Sequence, residues 1–348
     1  MPGARDRARG PRTAALLASL ALALAPAPTA HDHALRIASW GPRPAASRAE
    51  RRVHRYLAGR FREADLDVIV QRFGVPGRGR SRNVIGRLDG PRSCLHIVMA
   101  HSDSTAAGPG ANDNASGLGV LAALAGRLGR LPTRCDLWLV ATGAEERVYT
   151  GSADHLGALA LARRVRNRAA RRLRWALSLD EVGRDRPFWL RSPRATPRPG
   201  VEGALLEAAR RAGASIHWVP DESTGNSDHR ALRGDASGIT PRGELLGLPA
   251  AKLGVGAGGE PCRHTACDRP ERLDPVSLRL ARRIVESALG VGGQLIRHTF
   301  DRVQQPFDGR LVGGRRHHRH TQPAPAVYLG RAQVEAALGH QPLPQRHL

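Results

Sequence analysis

Five short runs, DVIVQRF (67–73), NVIGRL (83–88), LHIVMA (95–100), DLWLVA (136–141) and RWALSL (174–179), restrict the possible fold more than any other feature. Each is dense in Val, Ile and Leu and too short for a helix of ordinary length. Helical stretches separate the later ones. That pattern predicts buried parallel strands in an α/β sandwich. Val53, Leu57 and Phe61 fall at helical spacing and mark a helix over 49–63, after the turn-like GPRPAAS at 41–47. Further helices are expected over 116–128, 205–212 and 275–289, and no fixed-period repeat is visible. Apolar residues make up 41% of the chain but aromatics only 4%, so the core is expected to be mostly Leu, Val and Ala. The expectation is a three-layer sandwich over residues 31–300, with a central mixed, mostly parallel sheet flanked by helices.

Several of these runs lead directly into acidic residues and histidines. His101 follows LHIVMA with Asp103 two residues on, Glu145 and Glu146 follow DLWLVATGA, and Asp180 ends RWALSL. In an open α/β sheet, side chains at the carboxyl ends of strands converge on one crevice. Two further segments have suitable chemistry: Asp113 in the glycine-rich GANDNASG and His264 in CRHTACD. Neutral histidine and carboxylate are the ligand types of hydrolytic zinc. Asp103 is placed to orient the His101 imidazole. Of the adjacent glutamates, one can bind metal while the other faces the attacking water. Taken singly, Asp113 reads as a helix cap and the glutamate pair as a surface turn; together, the segments point to a metal centre.

The arrangement resembles the co-catalytic di-zinc aminopeptidases, a family that also includes glutamate carboxypeptidases and glutaminyl cyclases. The resemblance runs from GPRPAAS through NVIGRLDG (83–90) to HTACDRPERLDP (264–275). It implies a zinc-exopeptidase fold, two Zn ions and peptide substrates. By that resemblance His101 and Asp180 bind one zinc, Glu146 and His264 the other, and Asp113 bridges them. Glu145 is the general base, and a cis peptide follows the bridging aspartate. Gly151-Ser152 and Ser227-Asp228-His229 also match family positions, implying supporting or pocket-lining roles. The chain departs from the pattern at Arg263, where many members carry tyrosine, and at Glu181, where an apolar residue is common. Residues 234–259 fit poorly. The expected activity is removal of N-terminal residues from peptides. A carboxypeptidase or dipeptidase is the alternative, with Arg242 and Arg263 as candidates to hold a substrate carboxylate. A cyclase and a non-catalytic surface-binding relative rank lower. The GVGAGG at 254–259 lacks the flanking strand and helix of a dinucleotide site, and no HExxH motif is present.

The amino-terminal end reads as a secretory leader over residues 1–30: Arg5, Arg7, Arg9 and Arg12, an apolar stretch from Ala14 to Ala25, then small residues up to Ala30. A secreted or periplasmic location is expected. Residues 301–348, with RRHHRH at 315–320, read as a basic, extended or disordered tail. Net charge is +23, yet Lys252 is the only lysine. The arginines look spread along the chain, which favours loose association with anionic surfaces over specific nucleic-acid binding. Four cysteines allow three pairings. Cys262 and Cys267 flank His264; Cys94 and Cys135 each open an apolar run and can bridge if those strands are neighbours.

Overall fold

The computed structural model describes residues 27–129, 131, 133–146, 155–184, 188–194, 196–220, 227–233, 247–256 and 259–291. Most of the expected leader, the whole 301–348 tail, Gly151, Ser152 and Arg242 lie outside the described residues. The described strands are β1 (Asp67–Val75), β2 (Gly79–Leu88), β3 (Arg92–His101), β4 (Cys135–Thr142), β5 (Leu173–Asp180), β6 (Trp189–Ser192), β7 (His217–Pro220) and β8 (Ala250–Gly254). They form one sheet in the order β1-β2-β4-β3-β5-β8-β6-β7. Its centre, β4-β3-β5-β8, is parallel.

The first two apolar runs, read among the parallel strands, supply the antiparallel part of the expected mixed, mostly parallel sheet. They form an antiparallel hairpin, with Asp67 opposite Arg87 and Val75 opposite Gly79, and β2 then pairs antiparallel with β4. The tight turn between them uses Gly77 and Gly79 at φ +67 and +102, angles that glycine adopts without steric cost. The pentad AAKLG, inside the stretch 234–259 that fits the family pattern poorly, forms the buried strand β8.

Helices α1 (Ala30–Ala38), α2 (Arg48–Glu63), α3 (Ser116–Leu128), α4 (Leu156–Arg168), α5 (Ala204–Arg211), α6 (Asp228–Arg233) and α7 (Pro275–Ala288) complete the sandwich. The alternation of strand side chains divides the core in two. Val98, Ala100, Leu139 and Leu177 meet α1, α2, α3 and α7 on one face. Ile97, Met99, Val140 and Ala176 meet α4 and α6 on the other. Leu121 and Leu124 of α3 are fully buried, so truncating either to alanine costs about 2–5 kcal/mol. Helix α1 begins with a capping box in which Thr29 and Asp32 exchange hydrogen bonds, and it lies directly on α3 at Gly119. The expected leader boundary after Ala30 therefore falls inside the first turn of a packed helix.

Both cysteine pairs are disulfides: Cys94–Cys135 joins the starts of neighbouring β3 and β4, and Cys262–Cys267 closes a five-residue separation around His264.

Candidate metal centre

Three parallel strands deliver the first ligand-type side chains to one place. His101 is the last residue of β3, Asp180 is the last of β5, and the turn after β4 carries Glu145 and Glu146. Asp113 arrives from the loop before α3. There Gly110, at φ +56, lets the chain pass where a Cβ would strike the Asp113 carbonyl and Ser104. The Asp113–Asn114 peptide is cis. His264 comes from the disulfide-closed loop before α7.

The sequence-derived ligands converge. His101 Nε2 lies 3.1 Å from Asp113 Oδ1 and 3.4 Å from Asp180 Oδ1. His264 Nε2 lies 3.3 Å from Asp113 Oδ2 and 2.9 Å from Glu146 Oε2. Asp113 thus offers one oxygen to each half of the cluster. Ligand-type atoms of His101, Asp113 and Glu146 fall within 4.8 Å of one another, as do those of His101, Glu145 and Asp180.

The donor chemistry fits a cation. His101 Nδ1 is 3.1 Å from the Asp103 carbonyl, so with its proton there the ring is neutral and Nε2 is a bare acceptor. That lone pair faces two carboxylates. His101 Nε2, Asp180 Oδ1 and Glu146 Oε1 are buried with no hydrogen-bond partner among the described residues. Buried acceptors pointing at one another are costly unless a proton or metal ion sits between them.

The protonation balance reflects the same conflict. Burial works against charge on His101, but Glu145, Asp113 and Asp180 outweigh it and hold the ring's pKa well above its ordinary value. Contacts with Asp113 and Glu146 raise His264 to about 10, against burial. Burial and the neighbouring Asp113 charge push Glu146 up to about 8. Burial also opposes ionisation of Asp113 and Asp180, yet the histidines, and Lys252 beside Asp180, keep both carboxyls below the usual range. With no metal, the cluster draws in protons that a metal ion would displace.

Asp103 differs from its expected role. Its carboxylate is 3.8 Å from His101 Nδ1, and its backbone carbonyl meets the ring instead. The carboxylate accepts the Glu145 and Glu146 amides at 3.0 Å each, clamping the turn that presents both glutamates. Glu145 itself lies 2.9 Å, Oε1 to Nε2, from His155 at the start of α4. Ala144, His155, Glu181 and His264 all take φ between 52 and 59, left-handed values that cost non-glycine residues and cluster at functional sites.

Arg263 is also placed differently from the expectation. Its guanidinium engages the buried Glu181 carboxylate, with Nε 2.6 Å from Oε1 and NH2 on Oε2. The two departures from the family pattern therefore form a pair. Ser227, Asp228 and His229 are buried: Asp228 accepts from Thr142 Oγ1, and Ser227 meets Ser178 of β5 at 3.0 Å. Through these contacts Asp228 and Ser227 hold the ends of β4 and β5. Burial and the Glu145 charge push Asp228 to about 7.

Several supports gave little warning in the sequence. Lys252, buried on β8, sets Nζ 2.9 Å from Asp180 Oδ2. Asp268 accepts the Asn112 and Asp113 amides at 2.7 and 3.0 Å, and Glu260 accepts from Asn112 Nδ2 at 2.6 Å. Arg43 is fully buried and donates to the carbonyls of Ser102 and Gly110. Most of these groups bind backbone, and such partnerships have no signature in residue spacing. Lys252 was signalled only as the sole lysine, inside an apolar pentad.

A sandwich of this topology, with ligand-type side chains at its strand exits, is the zinc-exopeptidase fold. The chain belongs to peptidase family M28, which it matches over residues 83–289. It is 30% identical over 220 residues to aminopeptidase YwaD of Bacillus subtilis (strain 168), covering 60% of this chain and 44% of that protein. The chain thus spans less than half of that relative's length. Among solved structures it resembles BSAP, a zinc aminopeptidase from Bacillus subtilis, with TM-score 0.62 and 18% identity over 76% of this chain and 95% of that one. It resembles equally a Bacteroides thetaiotaomicron glutaminyl cyclase bound to N-acetylhistamine, with TM-score 0.62 and 19% identity over 75% and 96%. At these identities the structural likeness establishes the fold.

Proposed function

We propose that this protein is an exported di-zinc exopeptidase that removes N-terminal residues from peptides. The observation that carries the reading is Asp113, whose two carboxylate oxygens face two separate sets of ligands. His101, Asp113 and Asp180 would hold one zinc; Asp113, Glu146 and His264 would hold the other. Zinc there would supply Lewis acidity toward a peptide carbonyl and acidify a water molecule. Glu145, one residue from a ligand on the clamped turn, takes the water proton and passes it to the leaving amine. Asp103 holds that turn, while Asp268 holds the Asp113 loop.

Aminopeptidase action is favoured over carboxypeptidase action by the fate of Arg263. Its positive charge is matched by Glu181, leaving this arginine poorly suited to a free substrate carboxylate. Export is supported by the amino-terminal pattern of arginines followed by an apolar stretch, and by two disulfides, which persist in oxidising compartments. Processing that leaves Thr29 in place preserves the capping box of α1.

The test is hydrolysis of one short peptide in free and N-acetylated forms, before and after chelation and zinc add-back. Zinc-dependent cleavage of the free form alone is expected. Equal cleavage of both forms would indicate a carboxypeptidase. Cleavage of neither would remove the enzyme reading.

A further inference from the structure

The end of the sheet opposite the metal centre carries a second feature with its own chemistry. A cavity of about 1240 Å³ opens at the amino ends of β3, β4 and β5. Arg92 and Arg174 at the starts of β3 and β5, and Arg134 just before β4, line it together with Arg283 of α7. All four are exposed and have no carboxylate partner among the described residues. Sequence alone suggested that the arginines were dispersed. Folding instead gathers these four from well-separated segments around one concavity.

Compensation of neighbouring carboxylates and helix ends accounts for part of the positive lining. Arg127 and Arg282 pair with Glu286, and Arg211 pairs with Glu207; Arg127 and Arg211 also stand in the last turns of helices, where the dipole favours cations. The strand-borne arginines have neither explanation. The backbones of two are held together: Arg92 N–H donates to the Arg134 carbonyl at 3.1 Å, and the Cys94–Cys135 disulfide ties β3 to β4 beside them. Guanidinium groups recognise phosphate through paired, charge-assisted hydrogen bonds.

We propose that this groove binds a linear chain of phosphates. A concave site suits a single strand better than a flat membrane. The one aromatic ring in its described lining, His96, already stacks on Trp175 at 4.3 Å between centroids, so nucleobases find no row of free rings there. The proposal is independent of the catalytic reading, because the groove lies nine residues of β3 away from His101, about 30 Å at the usual rise.

The test titrates the full chain with long-chain inorganic polyphosphate at several salt concentrations. Arg92→Gln/Arg134→Gln/Arg174→Gln is compared with Arg55→Gln/Arg62→Gln/Arg171→Gln, which removes equal charge from exposed sites elsewhere. The groove triple is expected to lose tenfold or more in affinity. Its log K against log salt slope should fall by about two, near 0.7 for each phosphate that is no longer neutralised. The control triple should stay within about threefold, and peptidase activity should be unchanged in both. An Arg→Lys triple at the groove keeps the charge but not the paired hydrogen bonds, so it should recover the salt slope and only part of the affinity, which guards against misfolding of the Gln variant. Equal losses in the groove and control triples would overturn the proposal by showing diffuse attraction. So would groove-dependent binding to phosphatidylglycerol vesicles without binding to polyphosphate. Tighter binding of an oligothymidylate than of polyphosphate would overturn the assignment to a base-free chain.

Discussion

Replacing Asp103 separates two accounts of how the turn carrying Glu145 and Glu146 is held. In the structure its carboxylate accepts two backbone amides, from Glu145 and Glu146. Asparagine keeps one acceptor and turns its NH2 toward the other amide. A buried donor left without a partner costs about 1–3 kcal/mol. Burial, followed by the Glu145 charge, raises the Asp103 carboxyl above its ordinary range in spite of His101 and the two amides. Removing the charge therefore relieves part of a standing penalty, and the Asn variant should sit at the low end, about 1 kcal/mol. Alanine exposes both amides and leaves a cavity, for about 2–5 kcal/mol. For a domain of this size each kcal/mol lowers Tm by about 2–4 °C. Activity should suffer more than stability, since a displacement of about 1 Å at a reacting group costs about a hundredfold. Thermal melts, zinc content and steady-state kinetics on Asp103→Asn and Asp103→Ala provide the assay. The prediction is kcat reduced at least tenfold in Asn and more in Ala, with KM little changed and zinc retained at the His101 side. Loss of zinc from that side with an intact turn would restore the imidazole-orienting role. Unchanged kcat in Ala would refute the clamp.

Two further outcomes follow from the same geometry. His264 and Glu146 both have raised pKa values, about 10 and about 8. Their protonated forms favour the metal-free fold below the ordinary values of 6.5 and 4.5, and that stability is lost as pH rises through the folded values. Metal-free protein should therefore melt at lower temperature as pH increases from about 6.5 toward 10, while zinc should bind more tightly as the competing protons leave. Melts with and without chelator check this, and a metal-free Tm that rises across that window would contradict it. The disulfides should differ in kind. Cys94–Cys135 spans 41 residues and Cys262–Cys267 spans five, giving about 4 and 2 kcal/mol from loop entropy. Cys94→Ala/Cys135→Ala should show the larger Tm loss with kcat preserved. Cys262→Ala/Cys267→Ala should show the smaller Tm loss with weakened zinc binding through His264; the reverse pattern would refute the assignment.

The parts of the fold legible in the sequence were those that bury whole runs. LHIVMA, DLWLVA and RWALSL gave β3, β4 and β5 because strands covered on both faces must be continuously apolar. The same logic placed His101, Asp180 and the glutamate pair at strand exits. DVIVQRF and NVIGRL are equally legible as strands, but their antiparallel pairing is not, because a run's apolarity says nothing about its direction. AAKLG is hidden as a strand since it is short and carries Lys252, whose charge is matched by Asp180 from the neighbouring strand. The family resemblance supplied Asp113 and His264 as ligands. It could not supply Asp268, Glu260 or Arg43, which act by holding loop backbone, nor the Glu181–Arg263 pair, which unites two residues where this chain leaves the family pattern.

The most direct test of the central claim is Glu145→Gln, assayed for zinc content and peptide hydrolysis on the same preparation. Glutamine preserves size and leaves the five proposed ligands in place but cannot accept the water proton. Retained zinc with kcat reduced by about 10²–10⁴ is the predicted result. Retained zinc with kcat within a few-fold of the parent would contradict Glu145 as the base and, with it, the proposed division of labour at the strand exits.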